Sequence, residues 1–292
     1  MTVSWTTIVA FVGMLAAGPG CPPDPFTPER MATLDSQYPG QAFTAYAWDE
    51  VTGCTYSMNP DNRQPTASVF KVMVMAGTLL EAQEDGRQLT ANERNQITPM
   101  ISVSANNPVR SLWSRFGGAP WYSRQADIFG LDETSTVGDY GSGWGRTRTS
   151  ARDQVALLRQ VLFGQFGPLD VNSRAEAWGF MTAIDPNQRW GLSTAAPPGS
   201  IVAQKNGFAG VTANSVGGVV RSDGSSYAMA VLTTGWSNWT RGVEAVDLIA
   251  SWIHETLRST PPVAPRPPDR YWGIELRGSH PTRSAGQVAT LD

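Results

Sequence analysis

Histidine and cysteine are scarce in this chain: its 292 residues hold two of each, His254, His280, Cys21 and Cys54. Their positions give no zinc-ligand spacing and are too few for a multi-bridge disulfide framework. Metal-dependent hydrolysis and Ser-His-Asp chemistry lose most of their ground, and nothing in the residue pattern calls for a metal ion or an organic cofactor. Charge is also sparse. Asp, Glu, Lys and Arg make up 16% of the chain, and 22 basic against 25 acidic residues leave a net charge of -3. Such a balance offers no footprint for nucleic acid or for an anionic membrane surface. Repeats of heptad, collagen or solenoid type are absent. What remains is a hydrophobic fraction of 41%, far from disordered compositions. At roughly 150 residues per domain the length fits two domains or one large catalytic domain with a split core.

Long apolar runs are missing too. The longest at the front, residues 8–17, falls short of the roughly 20 residues that span a bilayer. It reads as the core of a signal segment over residues 1–20, despite the lack of Lys or Arg before Arg30 and an untidy small-residue exit. An exported protein is expected, secreted, periplasmic or wall-associated, with no stable membrane span after processing. Cys21 then has three fates: lipidation, pairing with Cys54 in an oxidising compartment, or an ordinary thiol. Gly18-Pro19-Gly20 lacks the aliphatic residue of a lipidation signal, and the ordinary thiol is the simplest reading. Residues 21–40 read as a linker. The prolines of Thr260-Pro261-Pro262-Val263-Ala264-Pro265-Arg266-Pro267-Pro268 favour an extended, solvated backbone, so residues 258–292 are expected to be a semi-rigid tail.

Between these ends, residues 41–48 and 54–58 alternate as strands around turn chemistry at 49–53, which predicts a hairpin. Residues 69–81 are apolar on all sides, as a buried helix is, with Ala67 and Ser68 at its start. Residues 97–115 read as mixed helix and loop, and 150–163 as an amphipathic helix with Val155, Leu158 and Leu162 on one face. Short strands are expected at 201–205, 215–221 and 227–233, and a final helix at 241–257. The fold class is α/β (α+β): an antiparallel sheet built from both chain ends and flanked by helices, with an all-helical subdomain inserted, the whole catalytic domain covering 41–257. Clefts form where such lobes meet.

Ser68 and Lys71 lie three positions apart at the start of the buried helix, on one face of it. A serine hydroxyl becomes a strong nucleophile once a base takes its proton, and a lysine acts as that base when desolvation lowers its pKa. Ser-x-x-Lys by itself is commonly a helix cap followed by a solvated lysine. Two further motifs give it weight: Ser104-Ala105-Asn106 just before a helix, and Lys205-Asn206-Gly207 at a strand end. In this order the three resemble the S-x-x-K, S-D-N and K-T-G elements of class A serine β-lactamases and penicillin-binding proteins. The resemblance spans residues 42–257 and includes Phe116-Gly117-Gly118 and Leu232-Thr233-Thr234-Gly235.

That family resemblance implies that Ser68 attacks an amide carbonyl and forms an acyl-enzyme, with Lys71 as its proton acceptor. Ser104 would relay a proton to the leaving nitrogen, Lys205 would keep the cleft positive, and Asn106 would bind the substrate's acylamide carbonyl. Backbone N–H groups of Ser68 and Phe208 would form the oxyanion hole beside Gly207. Asn206 replaces the usual hydroxyl residue and would meet the substrate carboxylate through its amide. Ala105 stands where Asp is common. The segment 131–149 lacks the Glu-x-x-x-Asn pattern that holds a deacylating water, which leaves Glu133 and Asp139 as the only nearby candidates and predicts slow deacylation. Arg221 is a weaker candidate for a substrate carboxylate, and Trp113, Trp121, Trp144, Trp178 and Trp190 receive no role. The expected partner is a small β-lactam or a peptidoglycan stem peptide, taken by a monomer. Three readings stay open: a β-lactam hydrolase, a D-Ala-D-Ala peptidase or transpeptidase, and a non-catalytic ligand-binding module.

Overall fold

The computed structural model describes residues 20–136 and 147–258. The leading segment, most of the tail, Asp139 and Trp144 lie outside the described residues. Five strands form one sheet: β1 (Ala42–Asp49), β2 (Thr55–Met58), β5 (Ile201–Ala209), β6 (Thr212–Val220) and β7 (Ser226–Thr234). Their order is β2-β1-β7-β6-β5, every pair antiparallel. The early hairpin thus joins the late strands through the β1–β7 ladder, as alternation at both chain ends predicts. Two short strands, β3 (Gln64–Pro65) and β4 (Arg148–Thr149), pair separately.

Nearly every residue of β6 and β7 is buried, because both faces of the sheet are covered. On one face lie α1 (Pro28–Gln37) and α8 (Trp239–Arg258). Helix α8 buries Ala245, Val246, Ile249, Ala250, Ile253 and Leu257, an i, i+4 stripe that meets the apolar face of the sheet. On the other face lies the helical insertion: α2 (Phe70–Glu84), α3 (Ala91–Ser102), α4 (Asn106–Phe116), α5 (Ala119–Ile128), α6 (Ala151–Val161) and α7 (Val171–Thr182). Helix α2 is buried from Phe70 to Leu80, so it forms the axis of this lobe. Trp113, Trp121 and Trp178 are core residues around it.

Three expectations are corrected. Residues 28–37, expected as linker, form α1: Thr27 caps it, Pro28 opens it and Leu34 is fully buried. Residues 97–115 are two helices with only a short connection, and α3 begins earlier, at a Thr90–Glu93 capping box. Cys21 and Cys54 are not ordinary thiols but form a disulfide, with Cα atoms 5.7 Å apart. No helix among the described residues is long and apolar enough to cross a membrane.

Candidate active site

Ser68 lies in a 3-10 turn, Ala67–Val69, that leads directly into α2. The turn holds Ala67 at φ 44°, a left-handed conformation that costs a non-glycine residue about 1–2 kcal/mol and turns the serine toward the sheet. Lys71 follows in the first turn of α2 and is fully buried. Its ammonium donates to Ser68 Oγ at 3.1 Å, to Ser104 Oγ at 3.0 Å and to Asn106 Oδ1 at 2.9 Å. It also bonds the Ser104 carbonyl. Ser104 and Asn106 reach this point because α3 ends at Ser102 and α4 starts at Asn106. The connection between them places Ser104 at φ 62°. Two of the four described non-glycine residues with positive φ therefore flank this cluster, as strained backbone does at functional sites.

The edge strand β5 closes the cluster from the other side. Lys205 is fully buried, donates to Ser104 Oγ at 3.0 Å and to its neighbour's carbonyl, Asn206 O, at 2.8 Å. Gly207 allows the approach of the two backbones: a Cβ built there would fall 2.8 Å from Thr66 O and 2.9 Å from Ser68 N. Only glycine fits, which gives the Lys-x-Gly motif a steric reason.

Burial disfavours both ammonium groups. Desolvation lowers Lys71 to about 8. Lys205 is held well below the usual lysine range, first by desolvation and then by the charge of Lys71. With an amine on either side, Ser104 Oγ accepts twice, which uses both lone pairs and leaves its own proton free to point at a third group. Ser68, by contrast, is half-buried and open to a reactant. The arrangement holds a reachable hydroxyl, a base of lowered pKa and a second hydroxyl bridging two amines.

Ser68, Lys71, Ser104, Asn106, Lys205 and Gly207 are thus brought together, with Phe208 next on the strand. The others are placed differently. The Asn206 amide is buried and committed within the protein: Nδ2 donates to Gln188 O at 2.6 Å and Trp190 O at 3.1 Å, and Oδ1 accepts from Ser215 Oγ at 2.6 Å. Strand alternation turns it away from the Ser68 face, so the expected contact with a substrate carboxylate is not available to it. Glu133 is 44% exposed and faces Arg63 at 3.9 Å, unlike a buried base. Arg221 bonds Ser225 and the Leu257 carbonyl at the opposite end of β6 from the cluster. The sequence reading missed Gln204, whose amide donates to the Gln188 and Trp190 carbonyls and accepts from Ser193 Oγ, and Ser215, whose hydroxyl donates to Asn206 Oδ1 and accepts from Leu192 N. Among the described residues no group of three His, Cys, Asp or Glu is placed to hold a metal ion.

A sheet built from both chain ends, a helical lobe inserted into it and a serine–lysine cluster between them define a serine hydrolase of the β-lactamase and penicillin-binding type. The model of the β-lactamase enzyme family (Beta-lactamase2) matches residues 27–96 and 93–257, and the chain belongs to that family. Among solved structures, that of PBP-A is 20% identical with a TM-score of 0.69, covering 80% of this chain and 96% of its own. A β-lactamase from Burkholderia phymatum is 18% identical with a TM-score of 0.69, covering 79% and 97%. These likenesses bear on the fold. No curated protein sequence matches the chain.

Proposed function

We propose that this protein is an exported serine acyl-transfer enzyme that opens β-lactam amides through a Ser68 acyl-enzyme and releases the acyl group slowly. The observation that carries the reading is the position of Lys71 Nζ, 3.1 Å from Ser68 Oγ and 3.0 Å from Ser104 Oγ. Lys71 in its neutral form takes the Ser68 proton as Oγ bonds to the carbonyl carbon. The proton then passes through Ser104 to the nitrogen as the C–N bond breaks, leaving an ester on Ser68 and a free amine. N–H groups of Ser68 and Phe208 hold the oxyanion, each worth about 2.7–4 kcal/mol by analogy with other acyl-transfer sites. A substrate carboxylate near Lys205 favours its charged form.

Slow release is expected because the segment 131–149 lacks the Glu-x-x-x-Asn pattern that would hold a deacylating water. Glu133 is exposed and turned to Arg63. The same observation favours a second reading, a D-Ala-D-Ala peptidase or transpeptidase, which shares the acylation machinery. PBP-A, in mutant form, has been captured as an acyl-enzyme with penicillin G, which is consistent with either reading. Export is supported by the Cys21–Cys54 disulfide, a bond that persists in oxidising compartments.

Intact mass before and after a penicillin tests acylation. One adduct is expected on the native chain and none on Ser68→Ala; an equal adduct on both would remove Ser68 from its role. A stoichiometric nitrocefin burst without sustained turnover supports slow release, and D-Ala liberation from a stem-peptide mimic would favour the peptidase.

A further inference from the structure

The turn that presents Ser68 has no side-chain cap of its own. Neither Thr66 ahead of the Ala67–Val69 turn nor Val69 ahead of α2 caps through its side chain. Ala67 nevertheless sits at φ 44°, a conformation that persists only where the surroundings over-determine it. Part of that restraint comes from β6. Asn214 is fully buried, and its Nδ2 donates to Pro65 O at 2.8 Å and to Thr66 O at 3.1 Å. These are the two carbonyls immediately ahead of Ala67. Asn214 Oδ1 accepts from Thr233 N at 2.9 Å, so partners on both sides fix which end of the amide donates.

The strand register brings this residue to the turn. Asn214 is the cross-strand partner of Gly207, so both lie on the face of the sheet that meets Ser68. Gly207 omits a Cβ that would stand 2.8 Å from both Thr66 O and Val69 N, and the amide beside it bonds the carbonyl so admitted. Thr66 O also accepts from Val69 N at 3.2 Å, which occupies both of its lone pairs. Thr66 N donates to Thr147 O at 2.8 Å. The peptide plane joining Thr66 to Ala67 is therefore pinned at its oxygen, and its tilt sets φ of Ala67 and the direction of the Ser68 N–H that follows. Ser215, the next residue along β6, pairs with Asn206 and points to the opposite face, where it bonds Asn206 and Leu192.

We infer that Asn214 is a positioning residue for acyl transfer: its amide holds the strained turn so that the hydroxyl and N–H of Ser68 stay aligned with β5. The inference rests on the acyl-transfer reading for what Ser68 does, so two probes test it. A penicillin requires an amide to open. Phenylboronic acid breaks no amide: its boron takes a lone pair from Ser68 Oγ as the hydroxyl proton passes to Lys71, which leaves a tetrahedral anion. In Asn214→Ala the limiting rate of acylation should fall by about 10²-fold, the usual cost of a misplaced reacting group, while the dissociation constant for penicillin before that step moves by less than about threefold. Boronate affinity, read by calorimetry, should fall by about tenfold or more. Asn214→Asp has the same shape and fewer donor hydrogens, leaves no cavity, and should show the same split. Ser215→Ala cuts buried bonds on the other face of the same strand; it should lose stability in urea yet keep the rate and the boronate affinity within about threefold of the native values. Equal losses in Ser215→Ala, rates and boronate affinities unaltered in both Asn214 variants, or failure of both to fold would overturn the inference. Weakened boronate binding by the Asn214 variants of a protein that opens no penicillin would keep the positioning role and remove the β-lactam reading. Acylation at the native rate in those variants would do the reverse, so the two fail separately.

Discussion

The two faces of the five-stranded sheet each bury a basic side chain, and they treat it in opposite ways. On the helical-lobe face Lys71 bonds Ser68, Ser104 and Asn106, groups that are half-buried or exposed. On the α8 face His254 is fully buried between Tyr227 Oη, 2.6 Å from Nδ1, and Leu192 O, 2.9 Å from Nε2. A carbonyl only accepts, so Nε2 carries the histidine proton and Nδ1 accepts from the tyrosine hydroxyl. Burial lowers both groups, Lys71 to about 8 and His254 to about 4. The histidine is saturated and sealed; the lysine touches a hydroxyl that a reactant can reach. A shifted pKa marks chemistry where the group also meets an accessible partner, and marks only packing where it does not.

The sharpest way to break this contrast is to delete the charge on the open face. Lys71→Met keeps the length and removes the amine. Acylation by a penicillin should slow by about 10²–10⁴-fold, the usual worth of a positioned general base, as read by quenched-flow mass measurement. The melting temperature should hold or rise, because a buried ammonium is replaced by an apolar side chain of similar size. In the unaltered protein, the proposed base is the neutral amine. The acylation rate should therefore climb as pH rises through about 8 and level off above it. At pH 7 about one molecule in ten holds Lys71 in the free-base form. A pH-independent rate across that range would mean that another group takes the proton.

The α8 face should answer with stability instead of rate. Cys54 belongs to the core on that side, and its bond to Cys21 closes a separation of 33 residues. Such a loop is worth roughly 4 kcal/mol by the chain-entropy relation. Cys54→Ala should lose about that much in urea unfolding, with reducing agent producing the same loss in the native chain and no further loss in the variant. The pH midpoint of acylation should stay where it is, since the disulfide is across the sheet from Lys71.

How far each face can be read from sequence follows the same division. Ser68 and Lys71 are legible because three residues of helix fix their relation, and Ser104 and Lys205 because short motifs set them at element ends. Asn206 was not. A position within a motif specifies the residue type, while its direction came from strand alternation and from Ser215 and the Gln188 and Trp190 carbonyls, none of them near in sequence. Helix α1 was hidden by Pro25 and Pro28, which resemble linker chemistry, and by its single buried residue, Leu34. The Thr27 cap ahead of Pro28 was the available signal. Pro99 likewise obscured α3, whose start at Thr90 and Glu93 carries a capping box in plain view. The disulfide joins the segment before α1 to the β1–β2 hairpin, a contact that no local pattern encodes.

The smallest effect is expected from His254, and it sharpens the idea of a sealed group. Its folded pKa is about 4, lowered mainly by desolvation, against about 6.5 when exposed. Between these values the unfolded chain binds the proton and the folded chain does not, so stability rises with pH in that window. The contribution is fully present above about pH 6.5 and is lost as pH falls toward 4, amounting to about 3 kcal/mol at most. Urea midpoints taken from pH 7.5 down to pH 4, roughly the span of the two pKa values, should show that decline. His254→Gln, an uncharged replacement, should flatten this part of the curve while lowering stability at neutral pH, because Tyr227 and Leu192 lose ideal partners. An unchanged slope in His254→Gln would mean that the histidine charges within the folded protein, and the α8 face would then be as open to protons as the one that carries Ser68.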